Sequence, residues 1–367
     1  MKYSIDRKAL IDCLAVGGSM SGKSKVLPIL NCCKINVKSN KLIISSYDGE
    51  NAVLKSVALT NHDEDFSFCV NCDDFFKAIK SLKDSTLDFE LTNNLIIIKH
   101  LHGFMELPYE SVEDYPAIDN VSDGLVYENL PCERFWNWLN SARNFTANDT
   151  LRPILCGVHI YFMGTEYGVC ASDGNAMYTD SNIAPYELVN GSAVIPNAAI
   201  SSVMAVLNGN DSVDIKINDR NISFSCSDAR AVCRLPNGTF PNFRAVFPTS
   251  HSVTVRLSRE DLLSSVNRAR LFANNGTSLC VLETMSGELG VAAENLDFNK
   301  KSVDSCMASI QGNIRIGVKG DFIVKCLSAT DSIGIIMEMT DPSRPIIFRT
   351  DDNLNLRILL MPMMINR

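Results

Sequence analysis

One pattern occurs three times along the chain, and its copies read YSIDRKALI at residues 3–11, VYENLPCERF at 126–135 and VTVRLSREDL at 253–262. In each copy apolar and polar residues first alternate, which is typical of a β-strand with one buried face. A residue that favours a helix start follows: Asp6, Pro131 or Ser258. Apolar residues then recur with the period of an α-helix. The pattern predicts one strand-to-helix unit repeated about every 125 residues.

Two further landmarks recur at the same spacing. A second strand leads into a second helix within residues 66–79, 193–203 and 314–327. Between the two strand–helix units, an alternating strand ends in Asp-Gly at residues 48–49 and 173–174, and a weaker copy ends at residues 294–295. Asp-Gly is a strong signal for a tight turn. The sequence therefore predicts three copies of one α+β unit, each with two helices packed on antiparallel sheets.

The length of 367 residues suits two or three domains. We expect the three repeats to be domains at residues 1–121, 122–249 and 250–367. Three domain-sized units do not fit a propeller or a solenoid, whose repeats are smaller and more numerous. Similar domains in series favour a pseudo-symmetric ring or arc.

The formal net charge of the chain is -8. Proteins that hold nucleic acid by charge alone usually carry a basic balance. The acidic total leaves two alternatives: no DNA contact, or contact confined to a local basic face.

The cysteines and the apolar segments bear on the cellular compartment. The 13 cysteines are odd in number and scattered among apolar neighbours, so we expect reduced, buried thiols rather than a disulfide framework. No apolar run approaches the roughly 18 residues of a membrane helix. The N-terminal MKYSIDR has no signal-peptide core. We expect a cytoplasmic protein without a membrane partner.

One stretch imitates a phosphate-binding loop, and it raises the alternative of a nucleotide hydrolase. Residues 17–24 read GGSMSGKS and fit the pattern G-x-x-x-x-G-K-S. A working loop follows a strand and precedes a helix, whose N-terminus faces the phosphate. Here a helix is predicted before the loop and an extended segment with Pro28 after it, so we expect no nucleotide site.

Metal and catalytic motifs are weak in this sequence. Cys69 and Cys72 form a Cys-x-x-Cys, but a structural zinc needs a second pair of ligands, and no suitably spaced pair is apparent. His100 and His102 share one strand face without an obvious third ligand. The five histidines are widely spread and suggest no catalytic triad. We predict no catalytic residue, no metal and no cofactor.

Several segments, in order along the whole chain, resemble the bacterial DNA polymerase III beta subunit family of sliding clamps. They read VLPIL at residues 26–30, CASDG at 170–174, GTFPNF at 238–243 and LMPM at 360–363. The resemblance implies a DNA clamp fold in which two chains of three domains form a six-domain, head-to-tail ring. It also implies a non-catalytic processivity factor. The implied partners are double-stranded DNA, the DNA polymerase III alpha subunit, the clamp loader and other proteins with a clamp-binding motif.

If helices line such a ring, their basic residues face DNA phosphates. The segment 73–83 is predicted as a helix with an apolar stripe that includes Phe75 and Ile79, and its lysines lie on another face. An ordinary solvated helix face is the alternative. The predicted DNA-facing residues are Lys23, Lys25, Lys77, Lys80, Lys83, Arg134, Arg143, Arg152 and Arg268. Weak phosphate contacts of this kind are independent of base sequence and suit a protein that slides.

The basic lining also departs from the family. Ser24 stands where family members often have Arg before Leu-Pro-Ile-Leu, although lysines flank it. The helix at about 197–207 has no Lys or Arg. This unevenness keeps open a third alternative, a clamp-fold scaffold that does not encircle DNA.

The resemblance further implies a pocket for partner peptides between the second and third domains. The matching residues are Leu155, Ser172, Gly174, Asn175, Met177, Pro241, Val246, Phe322, Leu360, Met361, Pro362 and Met363. Such a pocket is apolar and deformable because of its methionines. Asn175 and Ala176 replace a common His-Arg pair and Ala245 replaces a frequent Arg, so we expect a less basic pocket.

The resemblance places Phe104 at the dimer interface with Leu271 and Phe272 of the other chain. The pattern of residues alone equally allows these three side chains to belong to the core of their own domains.

Overall fold

A computed structural model describes residues 1–22, 27–92, 94–118, 121–149, 151–274 and 276–365. The chain forms two compact units. One comprises residues 1–137 and 195–235, and the other comprises 138–194 and 236–367. The predicted domain boundaries at residues 121 and 249 remain a prediction.

Six α-helices lie in the described residues: α1 (Arg7–Gly17), α2 (Cys72–Ser81), α3 (Cys132–Ala142), α4 (Asn197–Leu207), α5 (Arg259–Arg270) and α6 (Gly320–Leu327). The strands of the first half are β1 (Lys2–Asp6), β2 (Cys32–Lys38), β3 (Lys41–Tyr47), β4 (Ala52–Ala58), β5 (Asn61–His62), β6 (Phe66–Asn71), β7 (Thr86–Thr92), β8 (Leu95–His100), β9 (Gly103–Pro108), β10 (Leu125–Pro131), β11 (Gly157–Ser172) and β12 (Ala176–Pro196). The remaining strands are β13 (Ser212–Ile217), β14 (Asn221–Ser225), β15 (Ala229–Arg234), β16 (Val253–Ser258), β17 (Leu279–Thr284), β18 (Glu288–Asn295), β19 (Lys300–Gln311), β20 (Arg315–Lys319), β21 (Gly334–Met339), β22 (Ile346–Arg349) and β23 (Arg357–Leu360).

The strands form three sheets. The first unit contains a five-stranded sheet in the order β5-β1-β7-β8-β9 and an eight-stranded sheet in the order β10-β13-β14-β15-β4-β3-β2-β6. The second unit contains a ten-stranded sheet in the order β11-β12-β23-β22-β21-β16-β19-β18-β17-β20. The predicted α+β class with antiparallel sheets is confirmed.

The threefold repeat is visible in single hydrogen bonds. The first backbone N–H of α1 donates to the carbonyl of Ser85 at 2.8 Å. The equivalent N–H of α3 donates to Asp211 at 3.0 Å, and that of α5 donates to Ile333 at 2.9 Å. The first turn of a helix has no intrahelical partner for its N–H groups, and each repeat satisfies one of them in the same way. The repeat read from the sequence is therefore a repeat of structure.

Side-chain caps start two of these helices as predicted. The Asp6 carboxylate accepts the N–H of Ala9 at 2.8 Å, and the Ser258 hydroxyl accepts that of Asp261 at 3.3 Å. The Asp-Gly turns also match: Asp48 accepts the N–H groups of residues 50 and 51, and Asp173 accepts those of residues 175 and 176. The glycine that follows each Asp has a positive φ, 105° at Gly49 and 91° at Gly174, where a side chain would be strained.

The apolar stripe of α2 packs into the core of the first unit. Phe75 and Ile79 are completely buried there, and Leu82 is buried just beyond the helix. The helix ends at Ser81, two residues before the end at about residue 83 that the pattern predicts. The N–H of Leu82 bonds back to Ile79, and Leu82 itself has extended backbone angles.

The segment that imitates a phosphate-binding loop has a packing role. Its first residue, Gly17, ends α1, so a helix precedes the loop as expected. A Cβ added to Gly17 would lie 2.5 Å from the carbonyl oxygen of Ile44, and one added to Gly18 would lie 2.4 Å from the Cys72 sulfur. Both glycines therefore permit a close approach of α1 to β3 and α2. Residues 23 and 24 of the motif lie outside the described residues.

Eleven of the 13 cysteines are buried, and all 13 are free thiols. This confirms the burial predicted from their apolar neighbours. The strand pairing does bring a second pair of cysteines next to the Cys-x-x-Cys. Cys32 and Cys33 lie on β2 opposite Asn71 and Val70, the two residues between Cys69 and Cys72. Across the described ranges, however, no group of three or more His, Cys, Asp or Glu residues is arranged to hold a metal ion.

Candidate functional site

A groove lies on one face of the ten-stranded sheet, where β12 pairs with β23 in the second unit. Met177 is opposite Leu359 in this antiparallel pair, and Ala176 is opposite Leu360. The cavity measures about 680 Å³. Its lining residues are Leu155, Ser172, Gly174, Asn175, Ala176, Met177, Phe240, Pro241, Asn242, Phe243, Val246, Ser343, Arg344, Pro345, Leu359 and Met361. A concave, largely apolar surface with a few polar groups is typical of a binding site.

Eight residues of the predicted pocket line this groove: Leu155, Ser172, Gly174, Asn175, Met177, Pro241, Val246 and Met361. Leu359 and the aromatic residues Phe240 and Phe243 also line the groove, although no sequence pattern assigned them to it. Strand alternation could have identified Leu359, because successive side chains of β23 point to opposite faces of the sheet. Leu360 is completely buried and is absent from the lining, so its role in the pocket stays a prediction.

The other three predicted residues have different surroundings. Pro362 and Met363 line a neighbouring cavity of about 480 Å³. Ser343 lines both cavities, so the two are adjacent. Phe322 lines neither of them. Its ring lies near two ammonium groups, that of Lys319 at 5.3 Å and that of Lys325 at 5.2 Å.

A partly buried ion pair holds the turn that presents Gly174 and Asn175. The ammonium group of Lys325, on α6, lies 2.6 Å from the Asp173 carboxylate. Only 18% of the Lys325 side chain and 16% of the Asp173 side chain are exposed. The same ammonium group lies 4.7 Å from the centre of the Phe145 ring. Lys325 therefore supports one wall of the groove, and its charge is already used within the protein.

The segment after β23 forms the opposite wall. The N–H of Met361 donates to the carbonyl of Asn175 at 2.8 Å, and the N–H of Met363 donates to that of Gly317 at 2.7 Å. Backbone pairing thus continues beyond the last strand. The apolar C-terminal segment is therefore docked on the sheet, and its Met361 also lines the groove.

Aromatic stacking supports the floor of the groove. The His159 ring is parallel to the Phe240 ring, with 4.4 Å between their centres. His159 is buried, and burial lowers its pKa to about 4. Its imidazole is therefore neutral at pH 7. Phe240 and Phe243 also pack against buried Met177 and Leu359.

The predicted DNA-facing residues fall into three groups. Lys77, Lys80 and Arg134 are exposed on α2 and α3, and Lys83 is exposed just after α2. Arg143 is exposed after α3 and donates to the Asn140 side chain at 2.9 Å. Lys23 and Lys25 lie outside the described residues.

Two arginines of the predicted DNA-facing set have internal carboxylate partners. Arg268 pairs with Asp304, and this contact lowers the pKa of the Asp304 carboxyl. Arg152 pairs with Asp149 at 3.1 Å. A Cβ on Gly174 would lie 3.1 Å from the Arg152 guanidinium, so Arg152 is beside the groove rather than on a helix. DNA contact by either arginine stays a prediction.

The three predicted interface residues are exposed. Phe104 is 64% exposed, Leu271 is 75% exposed and Phe272 is 39% exposed. These fractions exclude the alternative that they belong to the cores of their own domains. Phe104 lies on β9, which is the edge strand of the five-stranded sheet.

Burial of His159 leads to a pH-dependent stability. The unfolded chain has the ordinary histidine pKa near 6.5, whereas the folded value is about 4. Below pH 6.5 the unfolded state binds the proton first, so stability falls as the pH drops from 6.5 to 4. The loss attributable to this residue reaches about 3 kcal/mol at pH 4 and below.

We expect His159→Phe, which retains an aromatic ring on Phe240, to lose less stability than the parent protein between pH 7 and pH 4. Urea unfolding at both values measures the difference. The exposed His102 provides the control His102→Phe, which should keep the parent pH dependence. The same pH dependence in all three proteins would contradict the assignment.

Three family models match consecutive parts of the chain. They describe the DNA polymerase III beta subunit N-terminal domain at residues 1–119, its central domain at 129–242 and its C-terminal domain at 244–364. Among curated relatives, the Beta sliding clamp of Haemophilus influenzae is 21% identical over 99% of this chain and 100% of its own length. That of Escherichia coli (strain K12) is also 21% identical, over 99% of this chain and 100% of its own length.

Solved structures agree on the fold. The DNA polymerase III beta subunit of Thermotoga maritima superposes with a TM-score of 0.93 at 20% identity, with both chains covered completely. A sliding clamp of Pseudomonas aeruginosa, solved with griselimycin bound, gives a TM-score of 0.95 at 19% identity, again over both complete chains. The repeat, the clamp fold and the three consecutive domain matches lead to one conclusion: the chain belongs to the DNA polymerase III beta subunit family, the non-catalytic sliding clamps of DNA replication.

Proposed function

We propose that two copies of this chain join head to tail into a six-domain ring around duplex DNA, and that the groove tethers DNA polymerase III to that ring. The observation that carries the proposal is the preformed apolar groove, with Met177, Leu359 and Met361 in its lining. A peptide with apolar anchors can bury them there without a large rearrangement of the groove. The DNA polymerase III alpha subunit is the first proposed partner, and the clamp loader and other motif-bearing proteins follow by the same chemistry.

Unpaired sheet edges support the head-to-tail dimer. Among the described strands, β9 pairs only with β8. Residues 300–307 of β19 pair with β18 on one side. Their other side pairs with no described strand, because the pairing of β19 with β16 begins at residue 308. Unpaired edges of this kind can pair with another chain. An interface between β9 of one chain and this part of β19 of the other would extend both sheets.

Side chains near the two edges are complementary. Phe104 lies on β9, and the exposed Leu271 lies just after α5. Glu106 on β9 carries the opposite charge to Lys300 and Lys301 on β19. Burying the apolar residues would drive association, and the charges would favour one register of the strands.

Local basic residues support DNA contact despite the acidic total. Lys77, Lys80 and Arg134 are exposed on two helices, whereas the net charge of the whole chain is -8. Scattered phosphate contacts give weak binding without base preference, and a closed ring supplies retention through topology. The proposed ring would act on DNA in the cytoplasm. Among the described helices, none has both the length and the apolar character needed to cross a bilayer.

One observation favours a second candidate function, a clamp-fold scaffold that does not encircle DNA. Helix α4 reads NAAISSVMAVL and offers no basic side chain. A DNA-facing lining would therefore be interrupted at this helix.

Topological binding separates the two functions. The protein is loaded by a clamp loader onto nicked circular DNA, and half of the sample is then cut with a restriction enzyme. We expect the protein to elute with the intact circles and to be lost from the linear DNA, because a ring slides off free ends. Equal retention on both forms would contradict encirclement. Association with the polymerase but with neither DNA form would favour the scaffold.

The proposed dimer interface predicts the effect of a charge on its apolar residues. We expect Phe104→Asp or Leu271→Asp to raise the dimer dissociation constant at least tenfold, because a carboxylate would have to lose its hydration in the interface. Sedimentation velocity over a dilution series measures this constant. Leu354→Asp is the control, because Leu354 is 66% exposed but outside the proposed interface. Unchanged dimers in both test variants would contradict the assignment.

The groove predicts a difference between two methionines of similar exposure. Met361 is 41% exposed and lines the groove, whereas Met285 is 44% exposed and does not. We expect Met361→Asp to weaken binding of a polymerase peptide at least tenfold and Met285→Asp to leave it unchanged. Fluorescence anisotropy with a labelled peptide gives both affinities, and sedimentation confirms that the dimer persists. Equal peptide affinities in the two variants would argue against the groove.

A further inference from the structure

A further cavity, distinct from the one lined by Pro362 and Met363, lies on the same sheet face as the groove and has no assigned role. It measures about 370 Å³. Its polar lining includes Ser181 on β12, Arg357 on β23, Asn355 just before β23, and Arg244 from the loop that follows the groove residue Phe243. It therefore differs in chemistry from the apolar groove beside it.

The groove and this cavity are continuous along the strands. On β12, Met177 lines the groove, and Thr179 and Ser181 line the cavity. On β23, Leu359 lines the groove and Arg357 lines the cavity, and Arg357 is paired with Thr179. Residues two positions apart on a strand share a face and are about 7 Å apart. Phe243 lines both spaces, so one extended peptide can reach from the groove across this ring into the cavity.

The two arginines of the cavity differ in their partners. Arg244 is neutralised by Glu166, whose carboxylate lies 3.0 Å from the guanidinium and also accepts the Tyr161 hydroxyl at 3.0 Å. Arg357 is exposed, and no carboxylate partner for it is found within the part of the chain that the structure describes. Its guanidinium lies 5.7 Å from the centre of the Phe247 ring. The cavity lining therefore has a net positive charge that comes from Arg357.

The geometry points to an acidic-residue subsite: we propose that this cavity binds the Asp or Glu side chain of a partner peptide whose apolar anchor occupies the groove. A guanidinium presents paired N–H donors that match a carboxylate. Packing over Phe247 restricts the Arg357 side chain and reduces the entropy lost when it binds. The acidic residue would lie about two residues from the anchor, because an extended peptide advances roughly 3.4 Å per residue.

The inference rests on the proposed peptide-binding function of the groove, and the experiment separates the two. The probes are labelled peptides with a Leu-Leu anchor and either Asp or Asn two residues away, placed before the anchor in one pair and after it in another. Binding to the full-length protein is measured by fluorescence anisotropy at low and high salt.

In one of the two placements, the parent protein should bind the Asp peptide about three- to fivefold more tightly than the Asn peptide at low salt. High salt should reduce the difference, because the contact is partly exposed. Arg357→Gln should abolish the preference, and Arg357→Lys should retain part of it. Arg220→Gln, which removes an exposed arginine elsewhere, should keep the preference.

Each other outcome has a defined meaning. If the parent protein binds Asp and Asn peptides equally in both placements, the subsite is refuted while the groove stands. If Arg357→Gln keeps the preference for Asp, the assignment to Arg357 is refuted. If the parent protein binds no peptide, or Met361→Asp binds as well as the parent, the groove itself fails and the subsite fails with it.

Discussion

The backbone pairing of β12 with β23 creates the candidate site. It joins residues 176–179 to residues 357–360, which are about 180 positions apart in the sequence. Met177 and Leu359 form the groove at one end of this pair, and Thr179 and Arg357 begin the polar cavity at the other. A shift of one residue in register would turn each of these side chains to the opposite face of the sheet. The apolar residues buried on both faces oppose such a shift, so the core of the second unit also holds the candidate site in register.

Much of the fold could be predicted because the chain repeats its own signals. Strand alternation, helix period and the Asp-Gly turns of residues 48 and 173 each occur in more than one copy, and the structure uses them in equivalent ways. Helix ends were less predictable: α2 ends at Ser81 although its apolar pattern continues to Leu82. A buried residue beyond a helix gives the same periodic signal as one inside it.

The site was predictable where it follows local motifs and less so where it depends on tertiary contacts. The turn around Gly174 and the terminal Met361 carry motifs, and both line the groove. Phe240 and Phe243 reach it only because the loop of residues 240–247 folds over the sheet beside buried His159. No local pattern reveals that contact. The same limit applies to charge, because the sequence does not show whether a basic residue, like Lys325, is paired with a partly buried carboxylate.

The position of β23 in the chain has a consequence for biosynthesis. One wall of the groove is built from residues 359–361, and the adjoining cavity needs residues 362–365. Until these residues have been synthesised, a growing chain lacks part of the lining and has no complete groove. Any partner of the proposed peptide site would therefore require a chain whose synthesis has passed residue 361.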